Sequence, residues 1–132
     1  MSVKVIVAHP GRQHSYRMAT AIKKSGCLFR YITTVYNKEK KSFLMSLASK
    51  ILRNDNKKRA LNRHCQYLED GDVLQFCEFR GFIETFLVRY NKKLYAKYRQ
   101  KTADKFGKKV AKYAIKNNVD AVICYDTNST AC

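Results

Sequence analysis

The chain has 132 residues, 45% of them hydrophobic, which is enough for one domain with a real core and too little for two. Its 27 Lys and Arg against 10 Asp and Glu give a formal charge of +17, so the partner to expect is anionic: nucleic acid, a membrane surface or phosphorylated metabolites. The 5 cysteines, at 27, 65, 77, 124 and 132, are odd in number, widely spaced and without a C-x-x-C pair, which speaks against a disulfide framework or a zinc site and for reduced thiols in the cytosol.

The chain enters its first predicted strand almost at once. Val3, Val5, Ile6, Val7 and Ala8 are apolar on both sides, the pattern of a strand covered on both faces. The run is too short for a signal-peptide core or a membrane span, so a cytoplasmic location is expected, with any membrane contact peripheral. His9-Pro10-Gly11-Arg12-Gln13-His14-Ser15 follows as a tight turn. Pro10 cannot donate to a sheet ladder, and Gly11 is read as taking backbone angles closed to other residues. Ser15 is the expected N-cap of a helix with Met18, Ala19, Ile22 and Ala21 on its apolar side, ended by Gly26. A strand, a glycine-containing turn and a helix opening over it form an anion site, and ligands of open α/β sheets bind at this edge. The alternative is an ordinary strand-to-helix turn.

Leu28 to Tyr36 is rich in β-branched and aromatic residues and predicts a second strand, parallel to the first through a right-handed crossover. Between Lys38 and Arg59, the spacing of Phe43, Leu44, Leu47, Ala48, Ile51 and Leu52 predicts a basic amphipathic helix, which either packs into the core or lies on an anionic bilayer. Asp70-Gly71-Asp72 is a turn, Val73 to Cys77 a third strand, and Glu78 to Gly81 the loop at its end. From Phe82 to Asn117 the sequence predicts two helices with a break between Arg99 and Thr102. In the second of them Ala103, Phe106, Val110, Tyr113 and Ala114 share a side opposite most of the lysines. Val119 to Cys124 predicts a fourth short buried strand, and the polar residues 125–130 open what reads as another βα unit, so a longer protein is expected.

The chemistry is narrower than the charge. Neither G-x-G-x-x-G nor G-x-x-x-x-G-K-[ST] occurs, which weakens a dinucleotide or ATP reading. His9 and His14 have no carboxylate or thiol beside them and make no ligand set, so no metal is expected. They suit phosphate or sugar hydroxyl contacts better, and Arg12 can fork onto a phosphate. Asp126, just after the fourth strand, shares an edge of the sheet with the first turn; it can orient a hydroxyl, act as a base, or simply charge a helix N-terminus.

His9 to Ser15, followed by Ala19-Thr20-Ala21-Ile22-Lys23-Lys24-Ser25-Gly26 and Tyr31-Ile32-Thr33-Thr34-Val35-Tyr36, resembles the N-terminal domain of bacterial family 4 retaining glycosyltransferases of the GT-B fold. The resemblance is strongest over residues 3 to 36 and returns at Asp120 to Ala131. It implies an α/β fold with a Rossmann-like open parallel sheet flanked by helices. On this likeness residues 1–132 are an incomplete acceptor-side domain, and the C-terminal domain that holds the nucleotide sugar is missing. Gly11, Arg12, Gln13, His14 and Ser15 would form the loop beside donor phosphates and acceptor. Thr127 and Asn128 would form the acceptor-side loop, with Asp126 as the catalytic candidate. Tyr125-Asp126 stands where some relatives have a histidine and a glutamate, and one glycine common in the first loop is replaced.

The implied activity is transfer of a sugar, with retention, from a nucleotide-sugar donor to a saccharide or lipid-linked acceptor in surface polysaccharide assembly. No cofactor is needed beyond the nucleotide sugar as co-substrate, the 132 residues alone are expected to be inactive, and the location would be cytoplasmic, peripheral on the inner membrane. The alternative from composition is a basic nucleic-acid-binding module, although the bases are spread over several helices and no nucleic-acid motif accompanies them.

Overall fold

A computed structural model describes residues 2–11, 14–38, 46–47, 50 and 63–124. In chain order the elements are β1 (Val5–Ala8), α1 (Ser15–Lys24), β2 (Leu28–Thr33), a 3-10 turn (Asp70–Asp72), β3 (Val73–Gln75), α2 (Glu78–Tyr90), α3 (Lys92–Lys116) and β4 (Ala121–Cys124). The strands form one sheet in the order β3-β2-β1-β4, with every neighbour parallel. The fold is therefore α/β, a Rossmann-like parallel sheet flanked by helices.

All four residues of β1 are buried, as the Val-Ile-Val-Ala run requires of a strand covered on both faces. On one face Ile6, Ala8 and Ile32 meet Phe106, Val110 and Ala114 of α3. On the other Val7, Tyr31 and Val73 pack with Ala19 of α1 and with Tyr36 and Leu68. Removing the Phe106 ring would cost about 3–5 kcal/mol, because it sits fully buried between sheet and helix. The chain winds from β1 outward through β2 to β3, then returns to lay β4 on the other side of β1. That reversal puts the topological switch point at the carboxyl ends of β1 and β4, where open α/β sheets leave a crevice.

Several boundaries differ from the sequence expectation, each for a physical reason. Beyond Thr33 the chain leaves the ladder although residues 34–36 stay buried, because Thr34 turns its hydroxyl onto the Pro10 carbonyl at 2.6 Å. Strand β3 stops at Gln75, and Cys77 takes a left-handed φ of 56° that redirects the backbone straight into α2. Residues 78 to 81 are thus helix and not loop. Gly81 lets α2 sit down on the end of β2: a Cβ there would lie 2.7 Å from Thr34 Oγ1 and 2.8 Å from Val35 Cγ2. The break between the two helices falls at Asn91, not at 99–102. Asn91 is extended and its side chain accepts the Leu94 N–H at 3.1 Å, the N-cap interaction that restarts the helix. The lysines opposite the apolar side of α3 are solvated.

At the N-terminal helix, Met18 is exposed, whereas Ala19 is buried and Ile22 half-buried. Gly26 closes the helix with φ +76°, the left-handed conformation that favours glycine. Strand β4 starts two residues later than expected and, as an edge strand, is half-exposed rather than buried. Cys27, Cys65, Cys77 and Cys124 form no disulfide among the described residues and are partly, not fully, buried. Among the described residues no helix is long and apolar enough to cross a membrane. The basic segment expected to be helical between 38 and 59 lies almost wholly outside the described residues.

Candidate functional site

The turn after β1 is built from its neighbours' hydrogen bonds. His9 continues the strand far enough to donate its N–H to the Ile32 carbonyl at 3.0 Å, and its side chain is buried. The Gly11 N–H donates to His9 Nδ1 at 2.8 Å. An Nδ1 that accepts carries no proton, so the neutral ring holds its proton on Nε2. Burial pushes the His9 pKa below its usual 6.5, and the charges of Arg99 and Arg63 push in the same direction. Gly11 does not use a left-handed φ, contrary to expectation. What it needs is room: a Cβ would stand 3.0 Å from His9 Cε1, where the imidazole folds back over the turn. Thr34 and Thr33 at the end of β2 donate to the Pro10 and Gly11 carbonyls, at 2.6 and 3.4 Å, and hold the turn from below.

Against this turn lies a cleft of about 70 Å³ lined by Pro10, Gly11, Arg63, Glu84, Tyr95 and Arg99. It has the size of a phosphate group and is far too small for a nucleoside. A wider hollow of about 280 Å³, lined by Tyr95, Ala96, Arg99, Gln100 and Ala103, shares Tyr95 and Arg99 with it. Arg63 is largely buried, which lowers its pKa, while Tyr16, Glu84, Tyr31 and Tyr95 favour its charged form. A guanidinium keeps its proton under such conditions and serves as a fixed cation.

Glu84 arrives from α2. Desolvation pushes its carboxyl above the usual 4.5, while a hydrogen bond with Thr102 and the charges of Arg99, Arg63 and Arg80 restrain the rise. Its Oε1 is buried without a hydrogen-bond partner among the described residues. Arg80, one turn earlier, lies over the Tyr98 ring at 4.2 Å and donates Nε–H to Thr102 Oγ1 at 2.9 Å, which locks α2 to α3 beside the cleft. The site thus holds two guanidinium groups, one reluctant carboxylate and the backbone of a glycine turn. Such a set can take a tetrahedral anion through the arginines, with Glu84 in the wall of the same cleft.

Of the residues singled out in the sequence, Gly11 lines the cleft. His14 is exposed and occupies the N-cap position of α1 without a side-chain cap bond. Ser15, expected at that cap, is the first helical residue and is fully buried, its Oγ 2.9 Å from the Tyr31 hydroxyl. Burial raises that phenol to about 12, so the pair is a neutral hydrogen bond between α1 and β2. Arg12, Gln13, Asp126, Thr127 and Asn128 lie outside the described residues. Arg63, Glu84, Tyr95 and Arg99 went unnoticed in the sequence because none belongs to a motif. The available signal was Glu84, an acid set inside the largely apolar run from Phe82 to Val88. Among the described residues no three or more His, Cys, Asp or Glu side chains converge as a metal ligand set. Comparison of the chain with family models, curated proteins and solved structures finds no match.

Proposed function

We propose that this chain forms the acceptor-side domain of a retaining glycosyltransferase, one that moves a sugar from a nucleotide-sugar donor to a saccharide or lipid-linked acceptor. The observation that supports this reading is the Arg63 and Arg99 pair with Glu84 against the Gly11 turn, at the carboxyl end of the β1 strand of a parallel sheet. Departure of a diphosphate builds negative charge on its oxygens, and cations already placed beside it stabilise that charge. The cleft has the volume of a phosphate, so on this reading the nucleotide base is held elsewhere and the 132 residues alone transfer no sugar. Glu84, in the wall of the same cleft, opposes the anion when its carboxyl ionises.

Calorimetric titration with a nucleoside-diphosphate sugar, pyrophosphate and a neutral disaccharide tests the reading. Pyrophosphate and the nucleotide sugar should bind with similar affinity, because only the diphosphate is held. Arg99→Gln should weaken both by about tenfold, the worth of one charge-assisted contact. Equal binding by parent and variant, or turnover of a nucleotide sugar by the 132-residue chain, would overturn it.

A further inference from the structure

We propose that the outward side of the α2–α3 pair is a docking surface for an anionic lipid bilayer. Phe79, Phe86 and Tyr90 are spaced by seven and four residues and so share one side of α2, where they are 62%, 48% and 58% exposed. Leu94, at the start of α3, is 49% exposed and extends the apolar patch. These side chains lie away from the sheet, since α2 meets it through Gly81 and meets α3 through Arg80. Along α3, Lys97, Lys101, Lys105, Lys108, Lys112 and Lys116 recur every three or four residues and all are exposed. They form a stripe about 30 Å long at 1.5 Å per residue. The sole acid in α3 is Asp104. Its opposite side, Phe106, Val110 and Ala114, is spent on the core.

Apolar rings beside a long lysine stripe fit a surface that is hydrocarbon beneath and anionic on top. The rings enter the boundary of headgroup and acyl chain while the lysines stay at the phosphates. Other occupants fit less well. A second copy of a chain with net charge +17 would set like charge against like. Single-stranded nucleic acid needs open ring faces for its bases, but Phe86 and Tyr90 stack on each other at 4.4 Å, and Leu94 cannot stack. None of these residues lines the cleft, so the surface stands independently of the transferase reading.

The chain contains no tryptophan, so Phe86→Trp places a single reporter in the patch. Its emission should shift to the blue with vesicles of phosphatidylglycerol mixed into phosphatidylcholine, and should not shift with phosphatidylcholine alone. In sedimentation with the mixed vesicles, Lys97→Gln, Lys101→Gln and Lys105→Gln together should weaken binding by about fivefold per lysine. Phe79→Ser with Phe86→Ser and Tyr90→Ser should weaken it by about tenfold or more, since the inserted apolar area is lost. These positions are exposed, and an unchanged circular dichroism melt confirms that the variants fold. The proposal is overturned if the tryptophan does not shift or if the serine variant binds as the parent does. It is likewise overturned if single-stranded DNA shifts the tryptophan more than the mixed vesicles do.

Discussion

The turn cleft and the outer face of α2–α3 both present positive charge, yet they are opposite kinds of surface. In the cleft two arginines, one of them desolvated, stand near one carboxyl, so each contact is geometric and hard to replace. On the outer face many lysines are exposed, hydrated and screened by salt, and only their number counts. A net charge of +17 belongs to the second kind and says little about the first. Single substitutions should therefore matter in the cleft and only multiple ones on the face.

The largest separation comes from removing lysines. Replacing Lys97, Lys101, Lys105 and Lys108 with Gln should cost about 4 kcal/mol of anionic-vesicle affinity, at about 1 kcal/mol each. Pyrophosphate affinity and the melting midpoint should barely move, as calorimetry and thermal unfolding will report.

Gly81→Ala breaks the other side of the comparison. Its new methyl has to displace Thr34, which holds the Pro10 carbonyl, so stability should fall by about 1–3 kcal/mol in urea unfolding and pyrophosphate binding should weaken with it. Vesicle binding by the folded fraction should stay unchanged.

A subtler effect concerns Glu84. Its folded pKa is raised, so the carboxyl is still largely protonated at pH values where a free one is ionised, and its ionisation adds a negative charge to the cleft. Sulfate, whose own charge is constant over this range, should lose affinity as pH rises through that raised pKa. Glu84→Gln should flatten the profile and bind sulfate a few-fold more tightly at neutral pH. An identical pH profile for parent and Glu84→Gln would show that the carboxylate does not face the anion.

The smallest effect is that of His9. Its folded pKa lies below the unfolded 6.5, so below that value the unfolded chain takes up a proton that the native chain refuses. Its contribution to stability is complete above pH 6.5 and is lost as pH falls through the window below it. Urea midpoints across that window should fall less for His9→Gln than for the parent.

What the sequence disclosed follows from what leaves a local pattern. A continuous Val-Ile-Val-Ala run announced a doubly covered strand, and the spacing of Phe106, Val110 and Ala114 announced the helix above it. The break at Asn91 was missed because an extended cap residue looks like any polar helix position until its side chain is seen to accept the Leu94 N–H. Gly11 was legible as necessary, but the reason was not: a histidine folding back over the turn is a tertiary fact. Arg63 was hidden among the bases, since sequence does not separate a desolvated arginine from a solvated one.

The most direct test is amide and guanidinium NMR of the isotope-labelled chain during titration with pyrophosphate. If the cleft is the anion site, the Gly11 N–H and the Arg63 and Arg99 Nε–H signals shift together and saturate, while the lysine side of α3 moves little. Shifts confined to Lys97 through Lys116, with Gly11 and Arg99 unmoved, would contradict the account and leave the turn with a structural role alone.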